Sequence, residues 1–318
     1  AILGRMLMRR STPTLTEVQR STHRKSLRRW SAYLFIAPAM LFIVLTMIYP
    51  IFANLRMSVY DVNVGTFLSD TAPFVGLGNY IKVLRDSAFQ KAFLLSLIFT
   101  VGSLVFQFTI GFALALLFNR SFPGNQILRA LMLLGWMLPT VVSGSVFRWM
   151  FDGGNGIINY ALQSLGLMSS PRFWLIEPQT ALLATIIANI WVGVPFNMIL
   201  LLPGLQSIPR SFYEAASIDG ASSRQSFRYI TLPLMRPVAL SVLLLGIIYT
   251  FKVFDLIYVM TRGGPVDATT VLPIYVYQLS FNFFRFGEGA AAAILLLAPL
   301  SLAAIGYLWF SRREDVMA

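Results

Sequence analysis

The stretch Phe212–Pro237 reads FYEAASIDGASSRQSFRYITLPLMRP and lies between two of the most apolar runs in the chain. A polar island in so greasy a sequence needs a reason, and its residues spell out a shape. Pro209 can open a helix, with Arg210 or Ser211 as its cap, and SFYEAASI continues it. Asp219-Gly220 ends it, because glycine tolerates the positive φ at which a helix stops and the chain reverses. SSRQSFRYI then forms a second helical piece, with Phe227 and Ile230 on one side and Arg224 and Arg228 on the other. Leu232-Pro233 is expected to end that piece, and Pro237 to mark the return to apolar sequence. Ala215, Ala216 and Ser217 are small enough to let another surface come close.

The flanking rods read as membrane spans. Of 318 residues, 57% are hydrophobic and 12% charged, about half the charged share of a soluble domain. Mean hydropathy is +0.70. A bilayer core of about 30 Å needs about 20 apolar residues per helix. Charge-free runs place six spans, at about 31–55, 92–119, 129–150, 178–206, 237–261 and 289–311. A shorter stretch, Ala268–Phe284, holds Pro273 and many Tyr and Phe residues, and reads as an interfacial belt rather than a seventh span. The expected layout is a basic tail over 1–29, a membrane domain over 30–311 containing a polar loop at 207–236, and a short tail over 312–318. The fold class is all-α, polytopic in the membrane. The first apolar run is too long for a cleavable signal peptide. With no cysteine, thiolate sites are not available, and His23 as the one histidine argues against a histidine metal site or a Ser-His triad.

Charge supplies a direction. The two tails, the Arg120–Arg129 loop and the Arg210–Arg236 loop fall on one side, with 16 of the 25 Lys and Arg and five acids. The other side holds nine basic and eight acidic residues. By the positive-inside rule both termini and the island face the cytoplasm. The pI near 10.3 is therefore a topology signal and not a mark of nucleic-acid binding.

The order Glu214-Ala215-Ala216, Asp219-Gly220-Ala221, Ile230-Thr231-Leu232-Pro233 resembles the EAA loop of type I ABC importer permeases. FVGLGNYIKVL (Phe74–Leu84), LPGLQSIPRSFYEAASIDGAS (Leu202–Ser222) and FDLIYVMTRGGP (Phe254–Pro265) are similar to segments of the carbohydrate-uptake branch of that family. The resemblance implies a permease subunit in a bacterial cytoplasmic membrane, translocating a sugar or sugar-like solute delivered by an extracytoplasmic binding protein. It implies that Tyr213, Glu214, Ala215, Ala216, Asp219 and Gly220 belong to a coupling helix docked on a cytoplasmic ATPase. The chain has no Gly-Lys pair and so no P-loop; it carries no cofactor, and ATP and Mg belong to the partner. One chain offers one island, whereas such importers use two ATP-binding subunits. A second homologous permease, identical to this chain or different from it, is implied, with a heterodimer the expected pairing and lipid around the spans.

Polar groups within spans are costly and mark pathways or helix contacts. Asn189, Gly193, Phe196 and Asn197 fall at i, i+4, i+7 and i+8 on one helix face, where amides can bond hydroxyls and a ring can stack on a sugar. Sugar permeases line their solute site at the positions matching Asn189, Val192, Gly193 and Phe196. Helix–helix packing is the other reading of these residues. Tyr249, Thr250, Val253 and Ile257 run along the fifth span, with Thr250 the candidate for a solute hydroxyl. Amides expected there in maltose-type relatives are absent. Lys252 and Asp255, at i and i+3, are expected to pair. Gln107, Ser143 and Ser145 are weaker pathway candidates, while Trp136, Pro139 and Trp149 read as packing and interface anchors. An ion-gradient-driven secondary transporter is the alternative function. It calls for an unpartnered buried carboxylate and two related halves, neither of which the sequence offers.

Overall fold

The computed structural model describes residues 33, 35–67 and 71–315, so the expected 1–29 tail lies outside the described residues. The chain divides into two compact units, residues up to Arg56 and residues from Met57 onward. The first unit is dominated by α1 (Phe35–Ser58), 24 residues at mean hydropathy 2.2, long enough to cross a bilayer.

The second unit is built on α3 (Ser87–Phe118) and α7 (Pro178–Gln206), of 32 and 29 residues. Asp86 caps α3 by accepting the Ala88 N–H at 2.9 Å. Its other oxygen accepts the Tyr275 hydroxyl at 2.7 Å, and burial together with that bond pushes the Tyr275 pKa up. One face of α3 carries Ser96, Thr100, Ser103, Gln107 and Gly111, all buried. A Cβ on Gly111 would lie 2.6 Å from the Asn197 Cβ and 3.1 Å from the Met198 nitrogen, so glycine permits the two helices to touch through backbone. Leu201, Leu205, Met198, Ala115 and Phe118 close a core cluster beside that crossing.

Two expected spans are broken. The third is a pair of helices, α4 (Asn125–Met137) and α5 (Thr140–Met150), meeting at 92°. Pro139 supplies no N–H, and Leu138 before it is extended at φ −64°, ψ 136°, the conformation a following proline imposes. In the fifth, α9 (Ser223–Phe251) stops at Lys252 and a short α10 (Asp255–Thr261) resumes after a three-residue break. The expected stop at Leu232-Pro233 does not occur. A wide turn at Phe227–Thr231, in which the Leu232 N–H reaches the Phe227 carbonyl, gives Pro233 the room a regular turn would deny it, and the helix runs on. Counting the bent pair as one, six helical stretches among the described residues are long and apolar enough to cross a membrane.

The Ala268–Phe284 stretch is a packed element. α11 (Leu272–Tyr277) continues in a wide turn to Asn282, and Leu272, Ile274, Tyr275 and Leu279 are buried. The Leu272 N–H donates to Ser96 Oγ at 2.7 Å, which ties the element to α3. At this length it extends about 17 Å, too short to cross. Nearby, the Gly287 N–H donates to the Val62 carbonyl at 2.9 Å and Asn79 Nδ2 to the Ser58 and Tyr60 carbonyls at 3.0 and 2.8 Å. These bonds tie both α2 (Gly78–Arg85) and the start of α12 (Phe286–Asp315) to the segment 58–62.

Replacing Gly111 by valine forces α3 and α7 apart. The expected loss is about 1–3 kcal/mol of stability, read as a lower unfolding temperature of the detergent-purified protein, with Gly306→Val, where a Cβ meets nothing within 4 Å, as control.

Candidate functional site

The two breaks face one another across α7 and leave a cavity of about 250 Å³. It is lined by Asn189, Val192, Gly193 and Phe196 of α7, Gln107 of α3, Trp136 and Thr140 at the elbow, and Gly246, Tyr249, Thr250, Val253 and Leu256 around the second break. Three rings frame it: Trp136 and Phe196 have centroids 5.8 Å apart, and Phe196 meets Tyr249 edge-on at 5.4 Å. Asn189 lines the cavity at 5% exposure, and its buried Nδ2 has no protein acceptor. Its backbone carbonyl accepts Gln107 Nε2 at 2.7 Å. A Cβ at position 193 would fall 2.3 Å from the Gln107 Cδ, so glycine there makes room for that bond.

Seven of the eight expected pathway residues line this cavity: Asn189, Val192, Gly193, Phe196, Tyr249, Thr250 and Val253. Asn197 does not. Eight positions on from Asn189, an α-helix has drifted about 80° round its axis. That carries Asn197 into the α3 contact, 1% exposed, with Nδ2 donating to the Gly193 carbonyl at 2.9 Å. Ile257 is also absent from the lining and lies in the core with Phe99, Ile186, Val271 and Ile274. The break before α10 resets the helical phase and turns Leu256 inward in its place. Trp136, expected to be an anchor, lines the cavity because the elbow points the end of α4 at α7. Gln107, a weak candidate by sequence, is central; its signal is the polar spacing Ser96, Thr100, Ser103, Gln107 on an otherwise apolar helix.

The expected Lys252–Asp255 pair does not form. The i, i+3 relation holds on a continuous helix, and α9 ends at Lys252. Lys252 Nζ instead lies 5.0 Å from the Tyr249 ring centre, and Asp255 accepts a hydrogen bond from Thr140 at 3.3 Å. Ser143 is buried without a hydrogen-bond partner for its hydroxyl, and Ser145 is exposed and bonds back to the Val141 carbonyl. Among the described residues no group of three or more His, Cys, Asp or Glu is arranged to hold a metal ion.

The polar island is α8 (Arg210–Ile218), a turn at Asp219-Gly220 with Gly220 at φ +77°, and the start of α9. Pro209 occupies the cap position, and neither Arg210 nor Ser211 caps by side chain. Ser222 and Gln225 form a reciprocal capping box at the second helix. Tyr213 is half-buried and shares a hydrogen bond with Thr231 at 2.9 Å, fastening α8 to α9. Glu214, Ala215, Asp219 and Gly220 are exposed and Ala216 is half-buried. Phe212 and Ile218 stand out at 51% and 85% exposure.

Long apolar helices, two of them broken at one cavity, and a polar knob between α7 and α9 define a multi-pass membrane translocation component. The chain matches the model of the binding-protein-dependent transport system inner membrane components over residues 107–315, and it belongs to that family. It is 38% identical over 288 residues to the trehalose/maltose transport system permease protein MalF of Thermococcus litoralis, covering 89% of this chain and 94% of that one. It is 33% identical to the lactose transport system permease protein LacF of Rhizobium radiobacter, covering 91% and 97%. Its fold superposes with a TM-score of 0.79, at 22% identity and over 92% of this chain and 99% of the other, on a bacterial ABC transporter involved in the import of the acidic polysaccharide alginate. It is thus an inner-membrane permease subunit, a translocation component and not an enzyme. Family membership leaves the ion-gradient alternative without support.

Gly193→Ala drives Gln107 off the Asn189 carbonyl and costs about 1–3 kcal/mol in thermal unfolding. Adding Gln107→Ala to the same chain relieves the clash. The double variant is expected to unfold at a higher temperature than Gly193→Ala alone, and strictly additive losses would show that the two residues do not compete.

Proposed function

We propose that this permease carries an uncharged sugar, of di- to oligosaccharide class, through the cavity between the two helix breaks. The observation that carries the reading is the unpartnered Asn189 amide in a cavity wall that also holds the rings of Trp136, Phe196 and Tyr249. Amide donors bond sugar hydroxyls, and aromatic faces cover the C–H patches of a pyranose. The sugar-permease names of the relatives support the same class. A volume of about 250 Å³ falls just below the usual range of about 300–1,000 Å³ for small-molecule sites, as expected where a second permease supplies the other wall.

Residues 207–236, with Tyr213, Glu214, Ala215, Ala216, Asp219 and Gly220 at the tip, are the coupling loop. Phe212 and Ile218 offer the apolar contact a docked ATPase needs. The working complex pairs this chain with a second, homologous permease, two ATP-binding subunits that hold ATP and Mg, and an extracytoplasmic binding protein. The excess of Lys and Arg beside the island supports a cytoplasmic position for it and for both termini. ATP-driven closure of the ATPase pair moves α8, and its hydrogen bond to α9 passes that movement to the break at Lys252.

The test is ATP-driven uptake of labelled trehalose, maltose and lactose by proteoliposomes holding the complete transporter and its binding protein. Asn189→Leu is expected to cut uptake about tenfold, the effect of losing about 1.4 kcal/mol of recognition, with basal ATP turnover intact. Wild-type uptake in that variant would remove Asn189 from the pathway.

Gly220→Pro tests the coupling loop separately. Proline's fixed φ is incompatible with +77°, so the tip is distorted while the spans remain folded. Assembly with the ATPase, followed by pull-down, is expected to drop sharply, and unaltered assembly and uptake together would exclude docking through this tip.

A further inference from the structure

We infer that the hairpin between α3 and α4 binds a phosphate group, supplied in the membrane by the headgroup of an anionic phospholipid. The turn borders an open hollow of about 450 Å³, which shares no residue with the proposed solute site and is lined by Asn119, Arg120, Gly124, Asn125, Gln126 and Arg129 among others. It holds two arginines, and from Asn119 to Met137 the sequence contains no Asp or Glu. The 13-residue helix α4 begins here, with Gly124 in the left-handed region as its cap. The first-turn N–H groups of Gln126 and Ile127 lack intrahelical partners, and a helix start with such donors attracts phosphate.

Two buried atoms of residues lining this hollow lack partners. Asn125 is 7% exposed, and its Oδ1 has no donor; the Arg129 Nε is buried with no acceptor. Neither side chain is free to turn away and satisfy itself. Asn125 Nδ2 is held by the Phe118 and Arg120 carbonyls at 3.1 and 2.5 Å, and Arg129 donates to the same Phe118 carbonyl. An unmet donor beside an unmet acceptor suits a ligand that offers anionic oxygens and a hydroxyl together, as a glycerol phosphodiester does. Among the described residues the Arg120 guanidinium has no partner, and it stands exposed at the rim.

The surroundings favour a lipid over a dissolved ion. Ile127, Leu128, Leu131 and Leu134 run along α4 at 67%, 45%, 56% and 57% exposure. Acyl chains can lie along that row while the headgroup sits at the helix start. By the charge bias this end of α3 lies at the cytoplasmic leaflet, where basic pockets between spans collect anionic headgroups.

The experiment takes the complete transporter through nanodiscs of phosphatidylcholine alone or mixed with phosphatidylglycerol, then counts retained lipid by native mass spectrometry. Phosphatidylglycerol is expected to be retained selectively. Arg120→Gln is expected to lower that retention about fivefold, the effect of one arginine near an anionic surface, and Arg120→Lys to keep most of it. Gln126→Glu, which adds a negative charge without touching the cap on α3, is expected to abolish it. Equal retention of the two lipids, or retention unchanged in both Arg120→Gln and Gln126→Glu, overturns the site. A thermal-unfolding arm separates the sources. Protection by phosphatidylglycerol and none by inorganic phosphate upholds a lipid occupant, and protection by phosphate alone overturns it.

Discussion

The close contact of α3 with α7 is what the rest of this permease depends on. In lipid no hydrophobic gain pulls one helix onto another, so association must come from fit and from hydrogen bonds between helices. Here Gly111 lets Asn197 and the α7 backbone approach to contact, and Gly193 opens the slot in which Gln107 bonds the Asn189 carbonyl. Both points lie on a small and polar face of α3, with Ser96 at its upper end bonding the first turn of α11. A spine of two tight helices results, and both broken spans and α11 lean on it.

Breaking a helix inside a membrane exposes backbone groups that lipid cannot satisfy, which is tolerable where they face protein or a wet cavity. The elbow at Leu138-Pro139 and the gap at Lys252–Phe254 meet that condition together, since residues from both line the same space. α5 and α10, the pieces beyond the breaks, pack on each other, with Gly144 against the Leu256 carbonyl and the Val259 side chain. The paired breaks thus account for one another and for the cavity. Lys252 and Asp255 each contact a residue that lines the cavity, the Tyr249 ring and the Thr140 hydroxyl respectively.

The polar island obeys a different constraint. It must be stiff enough to carry force and yet present a surface in water. The Asp219-Gly220 turn, the capping box at Ser222 and the Tyr213–Thr231 bond give stiffness, and the wide turn at Phe227–Thr231 lets α9 pass Pro233 without ending. Because α8 is fastened to the helix that ends at the second break, a push at the proposed coupling tip arrives where the proposed solute cavity changes shape.

The amino-acid sequence alone determined the six apolar stretches, the all-α class, the island with its glycine turn, and the face of α7 carrying Asn189, Val192, Gly193 and Phe196. Each of these follows from period, composition or local backbone chemistry, which act within a few turns of one chain segment. It could not determine the 92° elbow, the loss of the Lys252–Asp255 pair, the continuation past Leu232-Pro233, or the turning of Asn197 toward α3 and Leu256 toward the cavity. Those were decided by what other helices place opposite. Proline permits a kink, a regular turn or a wide one, and only the neighbouring surface selects among them. Trp136, Gln107 and Thr140 join the site for the same reason: they come from distant segments, and only packing brings them to one wall.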